Sequence, residues 1–78
     1  MAFTKEEKQS LLTLKGVGET VIKRLEQIGI DSFEKLATSN VEEITEIVAD
    51  MLQTTCWKNS PQAKSAIQNA IDCARSHE

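Results

Sequence analysis

The residues from Lys15 to Thr20 place two glycines beside a cation and a hydroxyl, a combination suited to holding an anion. Gly16 and Gly18 flank Val17, so the backbone here can adopt angles that side chains forbid, and its amides are unshielded. If a helix begins at Gly18, its first N–H groups have no partner within the helix, and the helix dipole favours negative charge there. A phosphate oxygen suits such a position. The segment therefore predicts a phosphate-binding turn.

Side chains on either side of this turn would add attraction for a phosphate. Lys15 and Lys23 are the main candidates, and Arg24 and the Thr20 hydroxyl lie close in sequence. The predicted contact residues are Lys15, Gly16, Val17, Gly18, Thr20, Lys23 and Arg24. These groups would contact phosphates and not base edges, so binding would show no sequence preference and would weaken as salt rises.

Capping residues and apolar spacing define the helices on either side of the turn. Thr4 and Glu7 form a capping-box pattern that predicts a first helix over about residues 5–13. Apolar residues recur at helical spacing from Val21 onward, which predicts a second helix over about residues 18–28. Gly29 follows where a helix often ends in a left-handed residue.

Three further helices are predicted after the second. A short one around Leu36 begins either at a Ser32 cap or at a capping box that starts with Asp31. Longer helices are expected over about residues 41–52 and 61–76, the last one rich in alanine and able to lie close to its neighbours. With no alternating strand pattern, the sequence predicts a single all-α domain over residues 1–78, a compact bundle of about five short helices.

The stretch 11–25 resembles the helix-hairpin-helix family, in which an apolar residue, one free position and Gly-apolar-Gly lead into a second helix. The matching residues are Leu14, Gly16, Val17, Gly18 and Leu25. Residues 28–37 resemble the glycine, apolar, cap and helix segment that often follows this motif. The resemblance implies one such motif over about residues 5–28, within a SAM-like bundle of helices. It also implies a small stand-alone helix-hairpin-helix protein of the bacterial type. It further implies non-sequence-specific DNA binding, as an accessory in DNA repair, recombination or uptake.

Three features depart from the family pattern. Ile22 stands where the family commonly has a small residue, usually alanine, that lets the two helices approach, so a wider helix crossing is expected. Glu19 suits the first turn of a helix but would repel an incoming phosphate by about as much as it stabilises that helix, roughly 0.3 to 1 kcal/mol. Residues 53–60 stand where a second hairpin would be expected but contain no Gly-x-Gly, which leaves a degenerate second hairpin as an alternative. A single hairpin would bind DNA weakly.

Charge motivates a second hypothesis, a protein-interaction module whose hairpin is purely structural. The chain has nine basic and twelve acidic side chains and a net charge of -3, whereas strong polyanion binders are usually basic. Residues 1–39 contain six of each sign, and residues 40–78 contain three basic and six acidic residues. A DNA-binding face is therefore expected in the first half, and an acidic face for a protein partner in the second.

Other residues that could carry chemistry have simpler interpretations. Trp57 is expected mainly in the core and Cys56 as inert packing, and an acidic group on the fourth helix is expected to be solvated. That group comprises Glu42, Glu43, Glu46 and Asp50. We therefore expect no enzyme, metal, cofactor or small-molecule substrate. With no secretion signal and no long apolar run, a cytoplasmic location away from membranes is expected.

Overall fold

The computed structural model describes residues 3–77 and contains six helices in that part of the chain. They are α1 (Lys5–Leu12), α2 (Glu19–Gln27), α3 (Phe33–Ala37), α4 (Val41–Leu52), α5 (Cys56–Asn59) and α6 (Pro61–Ser76). No strand occurs among these residues, so the predicted all-α fold is confirmed. None of the described helices has the length and apolar character needed to cross a membrane. The one helix here that the sequence did not predict is α5, whose four residues are too few to show a helical period.

Four of the helices begin at a residue whose side-chain oxygen accepts a backbone amide of the first turn. These capping residues are Thr4, Ser32, Asn40 and Ser60. Of the two starts considered for α3, the direct cap is the one that forms, because Ser32 Oγ accepts the amide of Lys35 at 3.3 Å. Asp31 is instead paired with the Lys35 ammonium at 3.0 Å. The capping box predicted at α1 is confirmed, with both reciprocal hydrogen bonds present.

Glu7, the second member of that capping box, also joins α1 to α3. One carboxylate oxygen accepts the amide of Thr4 at 3.0 Å, and the other accepts the amide of Phe33 at 3.0 Å. Burial raises the pKa of Glu7, but hydrogen bonds from Phe33 and Thr4 stabilise the charged form and outweigh it. The pKa of Glu7 therefore lies below its usual value.

The core is centred on α6, which packs against α1, α3, α4 and α5. Its alanines at positions 66, 70 and 74 are buried, as predicted for a helix that approaches its neighbours closely. Ile67 and Ile71 fill the space between helices together with Leu25 and Leu36. Each such side chain contributes roughly 1.5 to 3 kcal/mol of hydrophobic free energy on burial. The helix that carries most of this core therefore also fixes the position of the segments next to it.

Candidate nucleic-acid interface

The segment between α1 and α2, which we call the glycine turn (residues 14–18), is held in place by its own backbone. The amide of Leu14 donates to the carbonyl of Leu11 at 3.1 Å, and the amide of Val17 donates to the carbonyl of Leu14 at 3.2 Å. Val17 as a whole is only 5% exposed and belongs to the core. Val17 therefore anchors the turn, and little of its surface is open to a ligand.

The two glycines of the turn have different roles. Gly16 has φ +83°, a left-handed conformation that other residues rarely adopt, and a side chain there would stand 3.6 Å from the Ala66 methyl of α6. Gly18 has φ −122°, which any residue can adopt, and the space where its side chain would lie is open to 4 Å. The conformational freedom that the two glycines permit is thus used by Gly16 and not by Gly18.

Gly18 leaves the start of α2 without a side-chain cap. The amides of Glu19, Thr20 and Val21 find no acceptor among residues 3–77, and the first bonded amide of the helix is that of Ile22, which donates to Gly18 at 3.2 Å. Gly18, Glu19 and Thr20 are exposed. Three backbone donors at the positive end of a helix dipole therefore lie without an acceptor next to a mostly exposed segment.

The structure separates the two predicted lysines instead of bringing them together. Lys15 is exposed on the side of the turn that faces α6, where its carbonyl accepts a hydrogen bond from Asn69 Nδ2 at 3.2 Å. Lys23 is exposed in a depression shared with Lys8 and Glu19. Neither predicted lysine has a carboxylate within ion-pair distance among residues 3–77. The two predicted lysines therefore line different depressions of the surface.

Two predicted contact residues, Thr20 and Arg24, and one cation that was not predicted, Lys8, lie on the surface around the glycine turn. Thr20 is exposed beside the open amides, whereas Arg24 is half-buried and donates from Nη1 to Gln27 Oε1 at 2.8 Å. Lys8, on α1, was not predicted, because it lies far from the glycines in sequence and only the packing of α1 against α2 places it near Lys23. No sequence signal at Lys8 itself could have revealed this.

A groove with a volume of about 630 Å³ runs between the glycine turn and α6. Its lining combines apolar, amide, hydroxyl and cationic groups. The lining residues include Lys15, Gly16, Trp57, Gln62, Ser65 and Asn69. The groove therefore combines one cation and several polar groups with one large aromatic side chain and smaller apolar ones.

The structure also bears on the expectations for Trp57, for Cys56 and for the acidic group of α4. Trp57 is not fully in the core: it packs against core residues with one part and lines the groove with another. Cys56 is exposed at the start of α5, so the expectation that it is packed among other residues is wrong. The four acidic residues of α4 are all exposed, as predicted.

Comparison with models of known protein families finds no match. Comparison with curated proteins and with solved structures also finds none.

Proposed function

We propose that this chain is a binding module that holds the phosphate backbone of DNA at the glycine turn, without sequence preference. The observation that carries the proposal is the open start of α2, where backbone donors have no acceptor among residues 3–77 and Gly18 has no side chain that could cap them. Helix starts of this kind favour phosphate oxygens because the donors and the dipole act together.

The cations around the turn support the same function. Lys15 lines the groove next to α6, and Lys23 lines a separate depression together with Lys8 and the acidic residues Glu19 and Glu26. A DNA backbone held at Gly18 would draw on these lysines from within the turn and from α1 and α2. About two to three neutralised phosphates correspond to a salt dependence of roughly 2 to 3 logarithmic units of affinity per decade of salt. Glu19 lies one helical turn from Lys23 and reduces the local positive potential, so binding is expected to be weak.

Titration of the full chain with duplex DNA at low salt, followed by NMR of the backbone amides, tests the proposal. The amides from Gly16 to Val21 are expected to shift, and two duplexes of unrelated sequence are expected to give the same affinity. Lys15→Ala removes one cation beside the turn and is expected to reduce the salt slope by about 1. Lys64→Ala is the matched control, since it removes the same charge from an exposed position of α6 outside the groove.

Two outcomes would contradict the proposal. The first is the absence of amide shifts at the turn with millimolar DNA. The second is an equal loss of affinity in the Lys15 and Lys64 variants, since net charge alone would then explain binding. A strong preference for one duplex sequence would contradict the backbone mode, because contacts to phosphate do not report sequence.

A second candidate function, docking of a protein partner on α4, is favoured by one specific observation. Ile47 and Met51 are 42% and 39% exposed and lie one turn apart on the same face of α4. Exposed carboxylates at Glu43 and Asp50 stand beside them on the helix, so a partner would present apolar and basic groups. Retention of a partner from cell extract after nuclease treatment, lost in an Ile47→Ser and Met51→Ser double variant, would support this candidate.

A further inference from the structure

Apart from Lys15 and Gly16, the residues that line the groove beside the glycine turn have no part in the proposed phosphate binding at α2. It has a volume of about 630 Å³, within the range of sites that bind small organic groups. Lys15 and Gly16 line one side, and α6 with Trp57 lines the other. A molecule held at the turn by its phosphate would therefore have this groove directly beside it.

Trp57 gives the groove a fixed aromatic surface. Trp57 is half-buried, packs against the core and also lines the groove, so part of its surface is accessible there. Indole Nε1 has no acceptor among residues 3–77. Flat aromatic surfaces of this kind stack on nucleobases irrespective of which base is present.

Two amide side chains supply the hydrogen-bonding groups that a base edge requires. Asn69 donates from Nδ2 to the carbonyl of Lys15 at 3.2 Å, so its orientation is fixed while its Oδ1 remains without a donor among the described residues. Gln62 is exposed on the first turn of α6 and has no hydrogen-bond partner in that same part of the chain. Amide groups pair with both donors and acceptors of base edges. One aromatic surface, one cation and two amides together match a nucleotide better than an apolar ligand.

We propose, building on the phosphate-binding function above, that this groove receives one unpaired nucleotide of single-stranded DNA. Its base lies against the Trp57 indole and its phosphate beside Lys15 and Gly16. In an intact duplex both faces of each base are stacked on neighbours, so a base reaches Trp57 only where the strand is unpaired or frayed. The chain therefore binds single-stranded segments and frayed ends more tightly than an intact duplex.

The test compares a short oligothymidylate with a duplex of the same length, using the full chain at one ionic strength. Trp57 is the only tryptophan and the chain has no tyrosine, so its fluorescence reports this groove alone. We expect oligothymidylate to bind more tightly than duplex and to quench the emission of Trp57. Trp57→Leu is expected to lower the ratio of single-strand to duplex affinity roughly ten-fold, within a range of about 5- to 150-fold for the loss of one stacked base.

Matched variants separate stacking from changes in folding. Trp57→Phe keeps an aromatic ring and is expected to retain most of the preference, while Phe33→Leu removes a half-buried ring outside the groove and is expected to leave the ratio unchanged. If circular dichroism shows that Trp57→Leu is unfolded, Ser65→Leu fills the groove from an exposed position of α6 and is expected to lower the same ratio.

The outcomes distinguish this inference from the function on which it rests. If neither nucleic acid shifts the amides of Gly16 to Thr20, the proposed function fails and this inference fails with it. If duplex DNA shifts those amides but saturating oligothymidylate leaves the emission of Trp57 unchanged, only the nucleotide groove is overturned. An unchanged affinity ratio in the folded Trp57→Leu or Ser65→Leu variant overturns it as well.

Discussion

Helix α1 is preceded by Thr4, whose hydroxyl caps it by accepting the amide of Glu7 at 3.2 Å. Helix α2 is preceded by Gly18, which has no side chain to accept an amide. At α1 the reciprocal bond from Thr4 to the Glu7 carboxylate completes a capping box, and the same carboxylate reaches α3. At α2 the first amides have no acceptor among residues 3–77. Helices α1 and α2 pack against each other, so a capped and an uncapped helix start occur in neighbouring elements of the same fold.

The difference shows that one helix start can stabilise the fold through its cap while another leaves its amides available to a ligand. A side-chain cap contributes about 1 kcal/mol, and α1 obtains it from its own residues. α2, which has glycine at this position, forgoes a few tenths of a kcal/mol of that contribution. It is held in place by the buried Val17, by the left-handed Gly16 and by α6. Donors that the chain does not satisfy are then free for an anion. The same comparison predicts which substitutions change stability and which change binding.

Gly16→Val is expected to have the largest effect, because it breaks the backbone shape on which the start of α2 depends. Valine at φ +83° is strained, and we expect a loss of about 2 kcal/mol in the free energy of unfolding. Urea denaturation measures it. Gly16→Asn is the matched control, since asparagine tolerates left-handed angles and should cost less. Equal losses in both variants would instead assign the effect to contact with Ala66, 3.6 Å away.

Thr4→Ala is expected to have an intermediate effect on stability and none on DNA binding. It removes the hydroxyl that caps α1, and the free energy of unfolding should fall by about 1 kcal/mol. Urea denaturation and duplex titration measure the two quantities, and Thr4→Ser should restore stability because it keeps the hydroxyl. A loss of duplex affinity in Thr4→Ala would show that the two helix starts are not independent.

The pKa of Glu7 gives a second measurement on the same variant. That pKa is depressed in the folded chain, so the stability it contributes is present above its usual value of 4.5 and is lost as the pH falls. Thr4→Ala removes one hydrogen bond that lowers this pKa, so the pKa of Glu7 should rise in the variant. The difference in free energy of unfolding between the unsubstituted chain and Thr4→Ala should then become smaller as the pH falls below 4.5.

Much of the fold could be predicted because its signals are local in sequence. Capping residues and apolar spacing lie within each helix, so they locate the capping box of α1, the start of α6 at Ser60 and the end of α2. Gly29 indeed has φ +89° and its amide donates to Glu26 at 3.1 Å. The short α5 was missed because four residues contain barely one turn.

The candidate site could be predicted only in part because much of it depends on packing between helices. The glycine turn is visible in the sequence, but which glycine needs its left-handed angle is decided by the path of the backbone around Val17. Lys8 joins Lys23 only through the packing of α1 against α2. The groove brings Trp57 beside Lys15, residues 42 positions apart, and no spacing rule connects them.

Substitution of Gly18 is expected to have the smallest effect on stability and is the sharpest test of the comparison. Gly18 has ordinary angles and open space, so Gly18→Ser and Gly18→Asp fit without strain and provide α2 with the cap that α1 already has. The gain in the free energy of unfolding should be a few tenths of a kcal/mol, measured by urea denaturation. Duplex affinity should fall in both variants, because the new oxygen occupies amides that the phosphate would use. Aspartate should reduce it further than serine, because its charge also repels phosphate. If Gly18→Ser is stabilised and its duplex affinity is unchanged, the donors at the start of α2 do not bind DNA.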